Sequence, residues 1–293
     1  RIAFLSARGG PPQVHVMRLR GGEPYPVTGA ETGVNFFQWG PDGQRIAYVT
    51  TDPKSEAEKT REREKRDVQV VDEEHRFSHL YTTDVAEADD TTRHVQRLTR
   101  GDFYVMGFDW APDGDTIAFA HRPPGSSWME IDLSVVPADS GAVEPLVERP
   151  GPDWAPHYSP DGETVAFLSM GGEGFLYGTG DVFTVPAEGE APTALARTPN
   201  RLVWRYGVGI IGWTAGGESV MVDDAAGTSY HVYAVGEDSA RQVTAGEGAH
   251  EDVSYSRSSG RLALTYQNST APEEVYVGPE ASFERRQLTS VNA

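Results

Sequence analysis

The chain has 293 residues, no cysteine and a formal net charge of −19. A chain of this size buries roughly three quarters of its unfolded surface without covalent staples. The lack of cysteine excludes disulfides, thiolate metal sites and a cysteine nucleophile. The acidic balance argues against a nucleic-acid partner, which needs clustered Lys and Arg, and no apolar run reaches the about 18 residues of a membrane span.

One phrase recurs along the chain, and it decides the architecture. The opening RIAFLSARGG is its second half. The full phrase then reads FQWGPDGQRIAYVT from Phe37 to Thr50, FDWAPDGDTIAFAH from Phe108 to His121 and HYSPDGETVAFLS from His157 to Ser169. Degenerate copies follow as IGWTAGGESVMVDD from Ile211 and VSYSRSSGRLALTY from Val253. Asp42-Gly43, Asp113-Gly114 and Asp161-Gly162 supply the positive φ of a tight hairpin turn, and the preceding proline presets it. The strand before each turn closes on an aromatic: Trp39, Trp110, Tyr158, Trp213 or Tyr255. The returning strand is apolar at successive positions, as in Ile46-Ala47-Tyr48-Val49, so both of its faces are expected to be covered by neighbouring sheets. A small residue recurs at Ala3, Ala47, Ala118, Ala166 and Ala263, with Met221 as the exception, as crowded radial packing demands.

A third strand follows each hairpin (QVHVMRL, SHLYTTDV, IDLSVVPA, DVFTVPA, YHVYAV, EEVYVG). A fourth often ends in Leu-Thr or Val-Thr, at Thr28, Thr99, Thr244 and Thr289. Four strands per unit predict one all-β domain over residues 1–293, a β-propeller of four-stranded blades with six repeats, the first incomplete. A β-sandwich does not explain a phrase repeated at blade-length intervals. The repeat is interrupted once, by a charged insertion over residues 51–78 within the second blade. Its first part, Thr51 to Arg66, is poor in apolar residues and holds all three lysines, Lys54, Lys59 and Lys65; it is expected to be exposed and partly helical or mobile.

The W-x-P-D-G-x-x-I-A-F phrase with its Leu-Thr ending resembles two groups. One is the amino-terminal propeller of the prolyl oligopeptidase family of serine peptidases, of acylaminoacyl-peptidase and dipeptidyl-peptidase type; the other is the Tol-system propeller. The RRQLTSVNA ending, the charged insertion and the incomplete first unit favour the peptidases. That resemblance implies a chain cut from a larger parent, of seven blades on one reading, with an α/β-hydrolase domain after residue 293 and short peptides as substrates. It favours a cytoplasmic setting, with a leader peptide left open.

The chemistry of such a parent is not encoded here. The family's nucleophile sits in a G-x-S-x-G elbow, and no such string occurs; the nearest, Gly227-Thr228-Ser229-Tyr230-His231, reads as a turn. No catalytic residue, cofactor or metal is therefore expected in this chain. His250-Glu251 lacks the second histidine of a zincin motif, and His75 and His79 are spaced for a helix in a segment that reads as strand or loop. Asp42, Asp113 and Asp161 are explained by their turns without calcium. Gly171 to Gly180 lacks a phosphate-loop lysine, and Asn268-Ser269-Thr270 reads as an ordinary loop despite its glycosylation pattern.

Two candidate binding groups remain. The connections between units carry Phe103-Tyr104, Asp153-Trp154 and Trp204-Arg205-Tyr206; Tyr104, Trp154, Trp204 and Tyr206 either contact a partner or cover the rim of the core. Dipeptidyl-peptidase propellers carry a glutamate pair that holds a substrate's free amino terminus, and Glu73-Glu74 resembles that pair, with Arg76 able to hold a carboxylate or meet a substrate carbonyl. The aromatics expected before the pair are absent, and a solvated acidic turn is the alternative.

Overall fold

The structure, a computed structural model, describes residues 1–65, 75–85, 94–125, 130–170, 179–200 and 209–292. Its strands form successive antiparallel sheets in chain order. The first holds β1 (Ile2–Ser6), β2 (Gln13–Met17) and β3 (Tyr25–Pro26). The second holds β4 (Val34–Trp39), β5 (Arg45–Thr51), β6 (Ser78–Asp84) and β7 (Val95–Arg97), with α1 (Glu56–Arg63) between β5 and β6. The third holds β8 (Tyr104–Trp110), β9 (Thr116–Arg122), β10 (Asp132–Pro137) and β11 (Glu144–Val147). The fourth holds β12 (Asp153–Tyr158), β13 (Thr164–Ser169), β14 (Asp181–Pro186) and β15 (Thr193–Ala194). The last two are β16 (Ile210–Trp213) to β19 (Ala240–Gln242), by way of β17 (Val220–Ala226) and β18 (Ser229–Val235), and β20 (Ala249–Ser256) to β23 (Arg286–Gln287), by way of β21 (Arg261–Asn268) and β22 (Ala271–Pro279). One parallel bridge, Tyr230 opposite Ala249, joins these two sheets. The fold is an all-β propeller of four-stranded blades with six repeats, the first holding three strands.

The repeated phrase becomes the first hairpin of each blade. Gly43, Gly114 and Gly162 take φ of 63°, 79° and 78°, which a side chain would resist. The preceding aspartates turn inward on their own turns: Asp42 Oδ1 accepts from Gln44 N, Asp113 from Asp115 N and Asp161 from Glu163 N. These bonds depress the Asp161 pKa, with the Ser159 hydroxyl contributing most. Across each hairpin the aromatic pairs with the first apolar residue of the returning strand: Trp39 with Ile46, Trp110 with Ile117, Tyr158 with Val165, Trp213 with Val220 and Tyr255 with Leu262.

The chain divides into two compact units, Arg1–Ser127 with Ser134–Glu144, and Trp128–Leu133 with Pro145–Ala293. In the first, Ile46 and Tyr48 pack toward Val14, Val16 and Val27, while Ala47 and Val49 pack toward Ile117 and Phe119. Both faces of β5 are thus covered, as its sequence requires. Arg45 ties the second sheet to the third: Nη2 donates to Gly114 O at 2.8 Å and the guanidinium lies 5.2 Å from the Trp110 ring centre. Arg1 repeats the arrangement one sheet earlier, on Gly43 O at 2.7 Å and Trp39 at 5.6 Å. In the second unit Ala166, Leu168, Val182, Trp213, Val222 and Tyr233 form one core, and Met221, Val232, Ala234 and Leu262 another.

The charged insertion is ordered where it is described. Ser55 and Glu58 form a capping box at the start of α1, and Lys59 reaches Glu31 at 3.0 Å. No α1 residue is buried, as the composition of Thr51 to Arg66 predicts, but the segment is a capped helix held by ion pairs rather than a loose excursion. Thr51 and Asp52, at its root, are half-buried.

Candidate functional site

Antiparallel pairing brings three kinds of segment to one end of each sheet: the start of its leading strand, the connection from its second to its third strand, and the exit of its fourth. The hairpin turns lie at the other end. Of the predicted binding residues, Arg76, Tyr104 and Trp154 are described and belong to the first end of their own sheets, where each unit has a local arrangement of its own.

In the first unit, the insertion returns through His75, Arg76 and Phe77 into β6. His75 Nδ1 meets the Tyr104 hydroxyl at 3.1 Å and stacks on Phe77 at 5.8 Å; Phe77 leans on Tyr104 at 5.2 Å. The Arg122 guanidinium lies 5.3 Å from the Tyr104 ring centre. Behind this shelf, Phe103 meets His79 edge-on at 5.3 Å and His121 at 5.0 Å. His79 is fully buried, and its Nε2 lies 3.6 Å from Asp52 Oδ2, which Arg97 also holds at 3.2 Å. Burial, then the Arg97 charge, pushes the His79 pKa down to about 4, against the pull of Asp52. Arg76 is exposed and close enough to α1 that its charge helps depress Glu58, after the larger effect of the Ser55 hydrogen bonds.

In the second unit, Asp153 opens β12 fully buried, gripped by Arg149 through Nε–Oδ2 at 3.0 Å and Nη2–Oδ1 at 3.1 Å. Burial raises the Asp153 pKa while the Arg149 and Ser169 hydrogen bonds oppose it. Arg149 also lies over Phe183 at 4.2 Å and Phe167 at 5.3 Å. This fork, fixed between two rings and a buried carboxylate, is preorganised. Trp154 beside it is half-buried and packs on the core of Leu168, Ile210 and Tyr233.

Tyr104 is thus joined to His75 and Phe77 in the first unit, where the exposed Arg76 lies between them in sequence and near α1, and Trp154 belongs to the second unit. Glu73, Glu74, Trp204 and Tyr206 lie outside the described residues. Two features have weaker sequence signals. Each complete leading strand carries a register shift near its start, between Val34 and Phe36, Val105 and Gly107, Trp154 and His157, Ile210 and Gly212, and Glu251 and Ser254. Such bulges re-aim side chains at rims and sites; Met106 is turned to solvent, and Ala155 and Asp252 take φ of 53° and 48°. Gly107, Pro156 and Gly212 hint at them in the sequence. The second feature is the role of the recurring threonine. Thr99 Oγ1 accepts from Leu80 N, Thr244 Oγ1 from Val232 N, Thr28 Oγ1 from Val14 N and Thr289 Oγ1 from Val275 N, clamping the third strand to the end of the fourth. In the fourth sheet, the Arg197–Asp181 ion pair at 3.4 Å stands at that level.

No protein-family model matches the chain. Two curated proteins resemble it in sequence: an uncharacterized protein of Agrobacterium fabrum, 29% identical over 137 residues, and dipeptidyl-peptidase 5 of Porphyromonas gingivalis, 24% identical over 180 residues. These matches cover 47% and 59% of this chain but only 36% and 25% of the relatives' lengths. Its fold is shared with solved proteins of different description. Acylaminoacyl peptidase of Pyrococcus horikoshii superposes with a TM-score of 0.69 at 16% identity, over 99% of this chain and 43% of that one. A TolB of Agrobacterium tumefaciens, described as putative, superposes with a TM-score of 0.59 at 13% identity, over 94% and 88%. The sequence resemblance to peptidase and Tol-type propellers thus extends to the fold.

Proposed function

We propose that this chain is the non-catalytic propeller of a serine peptidase of acylaminoacyl- or dipeptidyl-peptidase type, gating access of short peptides to a site completed by an α/β-hydrolase domain. The supporting observation is the His75–Phe77–Tyr104–Arg122 shelf at the root of the insertion, on the sheet end that also carries the connections between sheets. Its rings offer flat apolar contact, and Arg76 and Arg122 offer charge to peptide carbonyls and carboxylates. The sequence relationship to a dipeptidyl-peptidase agrees with this reading. The acyl transfer itself would use a serine, histidine and aspartate of the hydrolase domain; Glu73 and Glu74 would add carboxylates for a free amino terminus.

The reading frame past codon 293 tests the proposal directly. Several hundred further codons with a G-x-S-x-G string are expected; a stop codon there overturns the reading in favour of a stand-alone Tol-type propeller that docks proteins. In the full-length peptidase, Glu73→Gln with Glu74→Gln is expected to raise KM for peptides with free amino termini at least tenfold and to leave blocked peptides unchanged. An unchanged KM removes the pair from the site.

A further inference from the structure

Four of the described arginines are half-buried: Arg45, Arg97, Arg122 and Arg149. Three of them hold a carboxylate. Arg45 Nε lies 3.1 Å from Asp42 Oδ2, Arg97 Nη2 lies 3.2 Å from Asp52 Oδ1 and Arg149 Nε lies 3.0 Å from Asp153 Oδ2. Arg122 holds none among the described residues, and its Nε is buried without an acceptor. The chain is not short of carboxylates, since 44 Asp and Glu stand against 25 Lys and Arg. A guanidinium drawn this far out of water ordinarily takes a counter-ion with it, because an unpaired charge gives up hydration without return. An exposed arginine such as Arg76 needs no such partner. The setting of Arg122 is also fixed. It ends β9 opposite Tyr104, the first residue of β8. The guanidinium lies 5.3 Å from the Tyr104 ring centre, and that ring is held in turn by His75 at its hydroxyl and by Phe77 at 5.2 Å. All four residues belong to the first unit. The ring contact orients the guanidinium but leaves its charge without an anion.

We propose that Arg122 is the carboxylate subsite of this shelf, and that the peptides received there carry a free carboxylate, at the carboxy terminus or on an Asp or Glu side chain. The proposal rests on the reading of the shelf as a peptide site. A carboxylate suits the guanidinium fork because it presents two oxygens and a full charge, whereas a peptide carbonyl presents one oxygen and no net charge. Phe77 and Tyr104 then give flat apolar contact to the neighbouring residue of the same peptide. A phosphate ion would fill the fork equally well but has no use for two rings beside it; the rings point to an organic acid of peptide size.

Four N-acetylated peptides test it by titration calorimetry on the 293-residue chain at neutral pH: Ala-Phe as the free acid and as the amide, and the amides of Phe-Glu and Phe-Gln. The first pair reads a terminal carboxylate and the second a side-chain carboxylate. In at least one pair the acid is expected to bind at least tenfold more tightly than its neutral partner. Arg122→Gln should bring the two to within about threefold of each other and leave the Kd of the neutral peptide where it was. Arg122→Lys, which keeps the charge but loses the fork, should retain only part of the preference. Acids and amides that bind alike overturn the carboxylate subsite and leave the peptide shelf standing, whereas failure of all four to bind overturns both. A preference that survives in Arg122→Gln overturns the assignment to Arg122. Inorganic phosphate that binds as tightly as the preferred acid assigns the fork to a free anion and overturns the proposal as well.

Discussion

His79 and His231 occupy the same place in two repeats, yet their surroundings differ. Each stands at the start of a third strand, with Nδ1 on the threonine that ends the fourth strand, at 3.1 Å to Thr99 and 3.2 Å to Thr244. The same hydroxyl takes the next backbone N–H, at 2.9 and 3.0 Å. Beyond that clamp they part. His79 faces Asp52 and Arg97 at the root of the charged insertion. His231 leans on His250 at 5.2 Å, which leans in turn on Tyr266 at 4.8 Å, with Arg285 over that ring at 3.8 Å. The repeat fixes where a side chain stands; the connection added to it decides what charge that side chain meets.

Breaking the clamp should produce the largest effect. Thr99→Val or Thr244→Val removes the acceptor for a buried backbone N–H and the partner of a buried imidazole, so each is expected to cost about 2–3 kcal/mol. Urea unfolding at unchanged slope is the measurement. Equal losses assign the energy to the clamp; a loss below about 0.5 kcal/mol at either site shows that the hydroxyl is not what holds the strand.

Acid should separate the two sites next. Burial lowers the pKa of His231, and that of His250, where the charge of Arg285 also contributes. The neutral imidazoles belong to the folded state, so their contribution is complete above the ordinary value of 6.5 and is lost as the pH falls below it. The sixth sheet should loosen first, because His250 sits where β18 bridges β20. Protection of the Ala249–Ser256 amides, corrected for their intrinsic exchange rate, should fall as the pH drops below 6.5, and His250→Gln should flatten that dependence. His79, pushed to about 4 but facing Asp52, should follow the same sign down to lower pH. Asp52→Asn removes the opposing carboxylate and is expected to cost about 1 kcal/mol, because the Arg97 pair is partly exposed. An unchanged urea midpoint would mean that Asp52 does not anchor the insertion.

The smallest effects belong to α1. Ser55→Ala should raise local opening of the helix about fivefold, in line with a cap contribution of about 1 kcal/mol, and leave the global midpoint where it is. Lys59→Met should make the Arg61 and Arg63 peptide bonds more sensitive to trypsin without changing the urea midpoint. A global loss in either variant would show that α1 is integral to the core.

The blades were legible in the sequence because their signals are short-range: Asp-Gly turns, aromatics before them and doubly apolar returning strands act within about fifteen residues. The capping box of α1 was equally local, spelled by Ser55 and Glu58, yet the dominance of charge around it pointed to an exposed segment, partly helical or mobile, without placing the helix. What stayed hidden depends on partners far apart in the chain. Thr99 was visible as a repeated ending, but its work on Leu80 requires the fold to bring 19 residues back on themselves. Arg149 and Asp153 lie only four apart, but their fork is set by Phe167 and Phe183, which come from two other strands. Tyr104 meets His75 and Phe77 from another sheet, a meeting that no periodicity announces.

Arg1 and Arg45 carry a further consequence, for biosynthesis. Each completes its contacts only with a turn that lies later in the chain, 42 residues on for Arg1 and 69 for Arg45. As a ribosome releases the chain from its amino terminus, a finished sheet must therefore wait with its guanidinium unplaced until the following hairpin emerges. For these two sheets the next hairpin must be made before the arginine is placed, so a pause in translation before residue 43 or residue 114 would leave that guanidinium unplaced at the growing end.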